Sequence, residues 1–209
     1  MVETIPLFPL NTVLFPGMPI SLHIFEERYK MLLEDCQNHS NSFGIIFLRE
    51  GKEAYDKDVK TYRVGTLAKI HEVSKMANGR ANLTAVGTER FLITSYDKSL
   101  AYLQAHVEWL PLVNDTEDEV LRTEMQALLE EYLATLKKSQ NIPPEIPNLA
   151  YLGANLLQID SKTKQEILLI DEADGLYQRV IDLYKDHLRL IKMKSSFSEH
   201  MPGGPFSQN

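Results

Sequence analysis

A single cysteine, Cys36, stands among the 209 residues. One thiol cannot close an intramolecular disulfide, and a zinc or iron–sulfur centre needs several ligands at defined spacing. Cys36 follows Leu32 and Leu33 at helical spacing, which reads as a packed, inert thiol rather than a nucleophile. No apolar run reaches about 18 residues, so no membrane-spanning helix is expected. The N-terminus has no basic region leading into an uninterrupted apolar stretch and does not read as a signal peptide, which makes the cytoplasm the expected location. Other absences bear on chemistry. There is no Gly-x-x-x-x-Gly-Lys-Ser/Thr phosphate cradle, and His71-Glu72 has no second histidine one helical turn later. No Gly-x-Ser-x-Gly elbow is present. The six histidines are scattered along the chain. The expected catalytic, metal and nucleotide-binding residues are therefore none, and no cofactor is expected. Basic residues are fewer than acidic ones, 22 against 29, for a formal net charge of -7. That balance opposes a broad phosphate-tracking surface, so nucleic acid is an unlikely partner.

What is present is an ordinary globular composition, 44% hydrophobic and 24% charged, with a change of pattern near Pro111. Up to about Leu110 the chain favours strands. Ile5 to Leu10 and Val13 to Phe15 are short apolar pieces broken by Pro6, Pro9, Pro16, Gly17 and Pro19, a density that predicts edge segments and turns. Pro19 to Ile24 resumes the extended pattern. Glu26 to His39 spaces Tyr29, Leu32, Leu33 and Cys36 as a helix does, with Glu26 and Glu27 in its favourable first turn. Phe43 to Leu48 reads as a buried strand, and Arg49 to Lys60 as a solvated connection. Tyr62 to Val73 and Leu83 to Val86 flank Asn78-Gly79, a strong hairpin signal because both residues tolerate positive φ. Phe91 to Thr94 and Tyr102 to Trp109 complete a strongly bent sheet or small barrel. Gly65 and Gly87 suit close backbone packing or a bulge, and Arg28 and Arg90 suit specific hydrogen-bonded pairs.

Beyond Pro111 the period becomes helical. Thr116 and Glu119 form a plausible capping box ahead of a helix burying Leu121, Met125, Leu128, Tyr132 and Leu136. The prolines of 141–148 end that helix. Leu149 to Leu157 is a shorter helix, Ser161 is placed to cap another over Lys164 to Ile170, and a long one is predicted over Ala173 to Lys194. Lys185, Arg189, Lys192 and Lys194 gather late in that helix, as a solvated face or a weak docking site for an acidic protein or nucleic acid. The fold class is therefore α+β, with a β-rich part over residues 1–112, a helical part over 113–194 and a mobile tail over 195–209.

Six motifs then fall in the order found in one family. Pro6-Leu-Phe-Pro-Leu10, Val13-Leu-Phe-Pro-Gly17, Phe25-Glu-Glu-Arg-Tyr29, Val64-Gly-Thr-Leu-Ala-Lys-Ile70, Val86-Gly-Thr-Glu-Arg-Phe91 and Tyr102-Leu-Gln-Ala-His-Val107 resemble the substrate-binding domain at the N-terminus of Lon-type proteases. The resemblance extends more loosely over residues 1–192. It implies a PUA-like bent β-sheet or pseudo-barrel followed by a helical bundle, and a non-catalytic module that binds peptides or proteins, as an adaptor in protein quality control. Implied partners are unfolded or damaged polypeptides, or a protease or chaperone component. Full Lon proteases add an ATPase module and a Ser-Lys proteolytic module, neither of which has counterpart residues here, so the chain is not expected to be an enzyme. Two other classes stay open: RNA binding, which PUA-like folds also perform, and small-molecule hydrolysis, which needs titratable groups converging in a closed cleft. Polypeptide binding requires an accessible apolar patch, and Phe8, Val13, Phe15 and Phe25 are the candidates. Aromatic and branched residues in short strands are more often core than contact surface, so the reading depends on how many are exposed together.

Overall fold

The computed structural model describes residues 3–50, 60–76, 79–113, 118–137 and 148–199. Within them the order is β1 (Glu3–Leu10), β2 (Pro19–Ile24), α1 (Glu27–Asn38), β3 (Ser42–Glu50), β4 (Lys60–Thr61), β5 (Val64–Lys75), β6 (Ala81–Asp97), β7 (Gln104–Leu110), α2 (Glu119–Thr135), α3 (Leu149–Leu156), α4 (Ser161–Leu168) and α5 (Ala173–Glu199). This is the α+β arrangement that the change of period near Pro111 predicts.

Strands β1, β7, β6, β5 and β3 follow one another in hydrogen-bonded order, and β3 returns to β1, closing a small barrel. β1 makes the closure by changing neighbours halfway. Glu3 to Pro6 run antiparallel to Val107 to Gln104 of β7, and Leu7 to Leu10 run parallel to Gly44 to Phe47 of β3. Each half of β1 therefore carries a single ladder, which is how Pro6 and Pro9 are tolerated without the amide donors a doubly flanked strand would need. Ile5, Leu7, Ile46, Phe91, Ile93, Ala105 and Val107 pack into one enclosed cluster. Their neighbours Phe8, Phe43, Ile45 and Phe47 alternate to the other face and join a second, larger core, as the two-residue period of strands requires.

β6 is the spine. Leu83 to Val86 and Phe91 to Thr94, two strands by sequence, are parts of one 17-residue strand, with shifts of register against β5 and β7. It carries β2 along its first half and β7 along its second. Near the middle, Gly17 N–H donates to the Gly87 carbonyl and Gly87 N–H to the Met18 carbonyl. A β-carbon at position 87 would collide with the Phe15 carbonyl oxygen, so Gly87 marks a close backbone approach, one of the two roles expected of it. Val13 to Phe15, expected as an extended piece, joins no ladder. It is buried between barrel and helices, with the Leu14 carbonyl accepting from Thr66 Oγ1 at 2.6 Å.

In the helical half, α2 and α5 lie side by side in parallel. Lys185 meets Glu124 and Lys192 meets Glu131, both at 2.7 Å, and both partners advance by seven residues between the two pairs. α3 fills the space beneath, where Tyr184 donates its hydroxyl proton to the Gly153 carbonyl and stands edge-on to Tyr132. Three details of capping and length differ from the sequence expectation. Thr116 lies outside the described residues, and the N-cap of α2 is Asp118, whose side chain accepts from Val120 N–H. Asp160, one residue before the expected Ser161, caps α4, because its carboxylate reaches the amides of both Lys162 and Thr163. α5 runs on to Glu199 rather than ending at Lys194, so the expected tail is helical over 195–199, while 200–209 lie outside the described residues. Most of the expected solvated connection after Arg49 and the prolines of 141–147 lie outside them too.

The two halves share a core. Phe15 stacks on Tyr151 with ring centroids 5.4 Å apart, and Gln165 Nε2 donates to the Val64 carbonyl. Arg90 ties them most tightly. Its buried guanidinium donates to the carbonyls of Leu168 (2.9 Å), Ile170 (2.6 Å) and Pro111 (3.2 Å), with Asp171 Oδ1 at 3.4 Å. The planar fork of arginine suits several fixed acceptors at once, here carbonyls at and just past the end of α4 together with the one that follows β7.

Candidate functional surface

The Phe25-Glu-Glu-Arg-Tyr29 motif shows how one short segment divides between core and surface. Tyr29 is buried and stacks on Phe8, with centroids 3.9 Å apart and planes 13° from parallel. Glu26 holds the N-cap position of α1 and pairs with Arg28 at 2.9 Å, and the Arg28 guanidinium lies 4.4 Å from the Tyr29 ring centroid. Phe25, at the hinge between β2 and α1, is left 57% exposed.

Of the four residues singled out by sequence, Phe8, Val13 and Phe15 are packing residues, at 7%, 6% and 0% exposure. Their role is to fix the segments that carry the surface. Phe25 alone among them faces solvent. The preceding residue, Ile24, pairs with Ala81 at the start of β6, and Ala81 pairs with Lys75 at the end of β5. The face of α1 from Lys30 to Gln37 is set against the β5–β6 hairpin across a groove of ≈ 260 Å³, with Ile24, Leu33 and Met76 among its apolar lining and Lys30, Glu34 and Lys75 among its charged rim. Met76 is 42% exposed and Met31, next to Lys30, is 48% exposed. Lys30 is held by Glu27 at 2.7 Å. Thioether side chains adapt to irregular apolar partners better than branched ones do. Sequence reasoning missed Met31 and Met76. The Asn78-Gly79 signal correctly marked the nearby turn, where Gly79 has φ of 75° and Met76 N–H donates to the Arg80 carbonyl; Asn78 itself lies outside the described residues.

Several titratable groups elsewhere among the described residues are engaged in packing or local hydrogen bonds. Burial, with a smaller contribution from Asp35, pushes the Cys36 thiol up to about 12, and its Sγ–H is directed at the Ser42 carbonyl. It is protonated at neutral pH and unsuited to nucleophilic attack. The Tyr102 hydroxyl donates to Asp35 at 2.6 Å, fastening the segment just before β7 to α1. His39 and His187 bond through Nδ1 to the carbonyls of Asp35 and Leu183, four residues before each. Lys185 and Lys192, considered from sequence as part of a basic docking face, are each bound to a carboxylate of α2, which lowers the positive field that an RNA backbone would need.

Comparison with known proteins agrees with the motif order. Residues 4–186 match the family model of the ATP-dependent protease La (LON) substrate-binding domain. The chain belongs to this family. Relatives of this Lon-family domain include the Lon proteases of Anaeromyxobacter dehalogenans (23% identical, 95% of this chain, 25% of that protein), Bacillus thuringiensis (27%, 93% and 26%) and Escherichia coli (26%, 91% and 26%). It thus spans about a quarter of the length of the curated relatives it matches. Among solved structures, the Lon N-terminal domain protein of Xanthomonas campestris superposes with a TM-score of 0.66 at 24% identity, covering 87% of this chain and 96% of that one. The N-terminal domain of a Mycobacterium avium complex Lon protease gives 0.64 at 18%, covering 88% and 100%. These two share the fold. The Lon-family domain described here therefore corresponds to the substrate-binding, N-terminal part of those proteases. No helix of the described residues is long and apolar enough to cross a membrane.

Proposed function

We propose that this domain holds unfolded or damaged polypeptide segments, without cutting them, on the surface formed by Phe25, Met31 and the α1–hairpin groove, and so serves a protease or chaperone component in protein quality control. The observation that carries the reading is the 57% exposure of Phe25 beside a partly apolar groove, in a chain of a substrate-binding family. An aromatic ring held at the end of a strand loses little freedom on binding and contributes a large apolar area. Cytoplasmic location fits such clients.

The test is binding of reduced, carboxymethylated α-lactalbumin, a permanently unfolded chain, followed by fluorescence anisotropy. The Phe25→Ser/Met76→Ser double variant is expected to bind at least about tenfold more weakly, as removal of a central apolar anchor usually does, with an unchanged circular dichroism spectrum. Equal affinity of variant and parent would remove this surface from the reading.

A further inference from the structure

β2 is an edge. Its six residues pair with β6 on one side, Pro19 with Val86 through Ile24 with Ala81, and among the described residues no other strand joins it. Nor does any turn or loop main-chain bond reach residues 19–24. In an antiparallel pair alternate residues direct their N–H and C=O groups away from the partner, so β2 presents a row of main-chain donors and acceptors outward. Native edges are normally defended by charge, above all lysine, or by bulges. Pro19-Ile-Ser-Leu-His-Ile24 contains no Lys, Arg, Asp or Glu. Its single defence is the proline at its first position. Pro19, Ser21 and His23 are exposed, while Ile20 and Leu22 are partly buried toward the core, and the strand leads straight into Phe25.

We infer that the free edge of β2 takes up an extended, uncharged segment of unfolded polypeptide as an additional antiparallel or parallel strand. This rests on the polypeptide-binding reading above and specifies how the segment is held. Main-chain pairing supplies affinity that is independent of client sequence, and side chains alternating on the added strand meet the Ile20–Leu22 side and the His23–Phe25 side in turn. A second copy of this chain fits the edge less well. Six residues span about 20 Å and offer far less than the roughly 1,200 Å² that a stable interface buries, and two chains of net charge -7 repel each other.

Two ligands test it: carboxymethylated α-lactalbumin, and a Lys-flanked heptapeptide alternating valine and threonine, the latter also in a form N-methylated at every central amide. Amide hydrogen exchange of the intact domain is followed for each. At about ten times its Kd the unmethylated peptide is expected to slow exchange of the outward-facing β2 amides about tenfold, α-lactalbumin to protect the same amides, and the methylated peptide to do neither. Equal binding of the methylated peptide, or protection by either ligand confined to residues outside β2, would overturn strand addition and leave polypeptide binding standing. Failure of both unmodified ligands to bind would overturn the two together.

Discussion

Two glycines separate two kinds of constraint. Gly17 has φ of 77° and open space around its α-carbon, whereas Gly87 has an ordinary φ but no room. Gly17→Ala meets only the left-handed backbone penalty, about 1–2 kcal/mol. Gly87→Ala must push the Phe15 backbone off β6 and disturb the Gly17 and Met18 bonds, so its cost is expected to exceed that of Gly17→Ala, at about 3 kcal/mol. Urea titration of both variants checks the order; an equal or smaller loss at position 87 would mean that the 13–18 segment yields without strain. The same pair shows what a sequence conveys at this scale. Pro16-Gly17 is legible as a turn because proline and glycine state a backbone conformation. The burial of Phe8, Val13 and Phe15 agrees with their core reading, but sequence does not single out Phe25 as the exposed one, since an aromatic or branched side chain in a short strand is chemically the same whether it faces solvent or core.

At the level of elements, Asp160 shows a local charge working through a helix terminus. The amide and hydroxyl of Thr163, with the amide of Lys162, hold its carboxyl below the usual carboxylate range. A carboxyl with a depressed folded pKa contributes stability that is present above its unfolded value near 3.8 and is lost as pH falls through the folded value. Asp160→Ala is therefore expected to lower the urea midpoint at neutral pH, and the difference from the parent should close as pH drops below that value; a pH-independent difference would mean that the side chain acts by something other than its charge. Most elements were legible from periodicity: α1, β3, β5 and α3 lie within a few residues of their expected limits. Where the reading differs, the cause is local ambiguity: the sequence divides β6 into two strands although it runs unbroken through Gly87, and Ser161 has the chemistry of a cap, but the carboxylate one residue earlier reaches two amides. Of the proposed surface, Phe25 was named from sequence. Met76 was not, because a methionine beside a turn acquires meaning only when α1 is brought opposite it.

For the whole molecule, barrel and helices are expected to unfold as one. Trp109, the sole tryptophan, lies in β7 and reports on the barrel, while far-ultraviolet circular dichroism is dominated by α2 and α5. The two urea transitions should coincide. Arg90→Met leaves the carbonyls of Leu168, Ile170 and Pro111 without their shared donor, and is expected to cost about 3 kcal/mol while lowering both transitions. If the helical signal alone moved, the shared core would not be a cooperative unit. The change of neighbours along β1 also has a consequence in time. Leu7 to Leu10 find their β3 partners fewer than 40 positions onward, at Gly44 to Phe47, but Ile5 must wait for Ala105. On a ribosome, which releases β1 long before β7, the first half of β1 stays without its ladder while nearly all the barrel is translated. Contacts this distant along the chain slow folding, so the two halves of one eight-residue strand are secured at widely separated moments of synthesis.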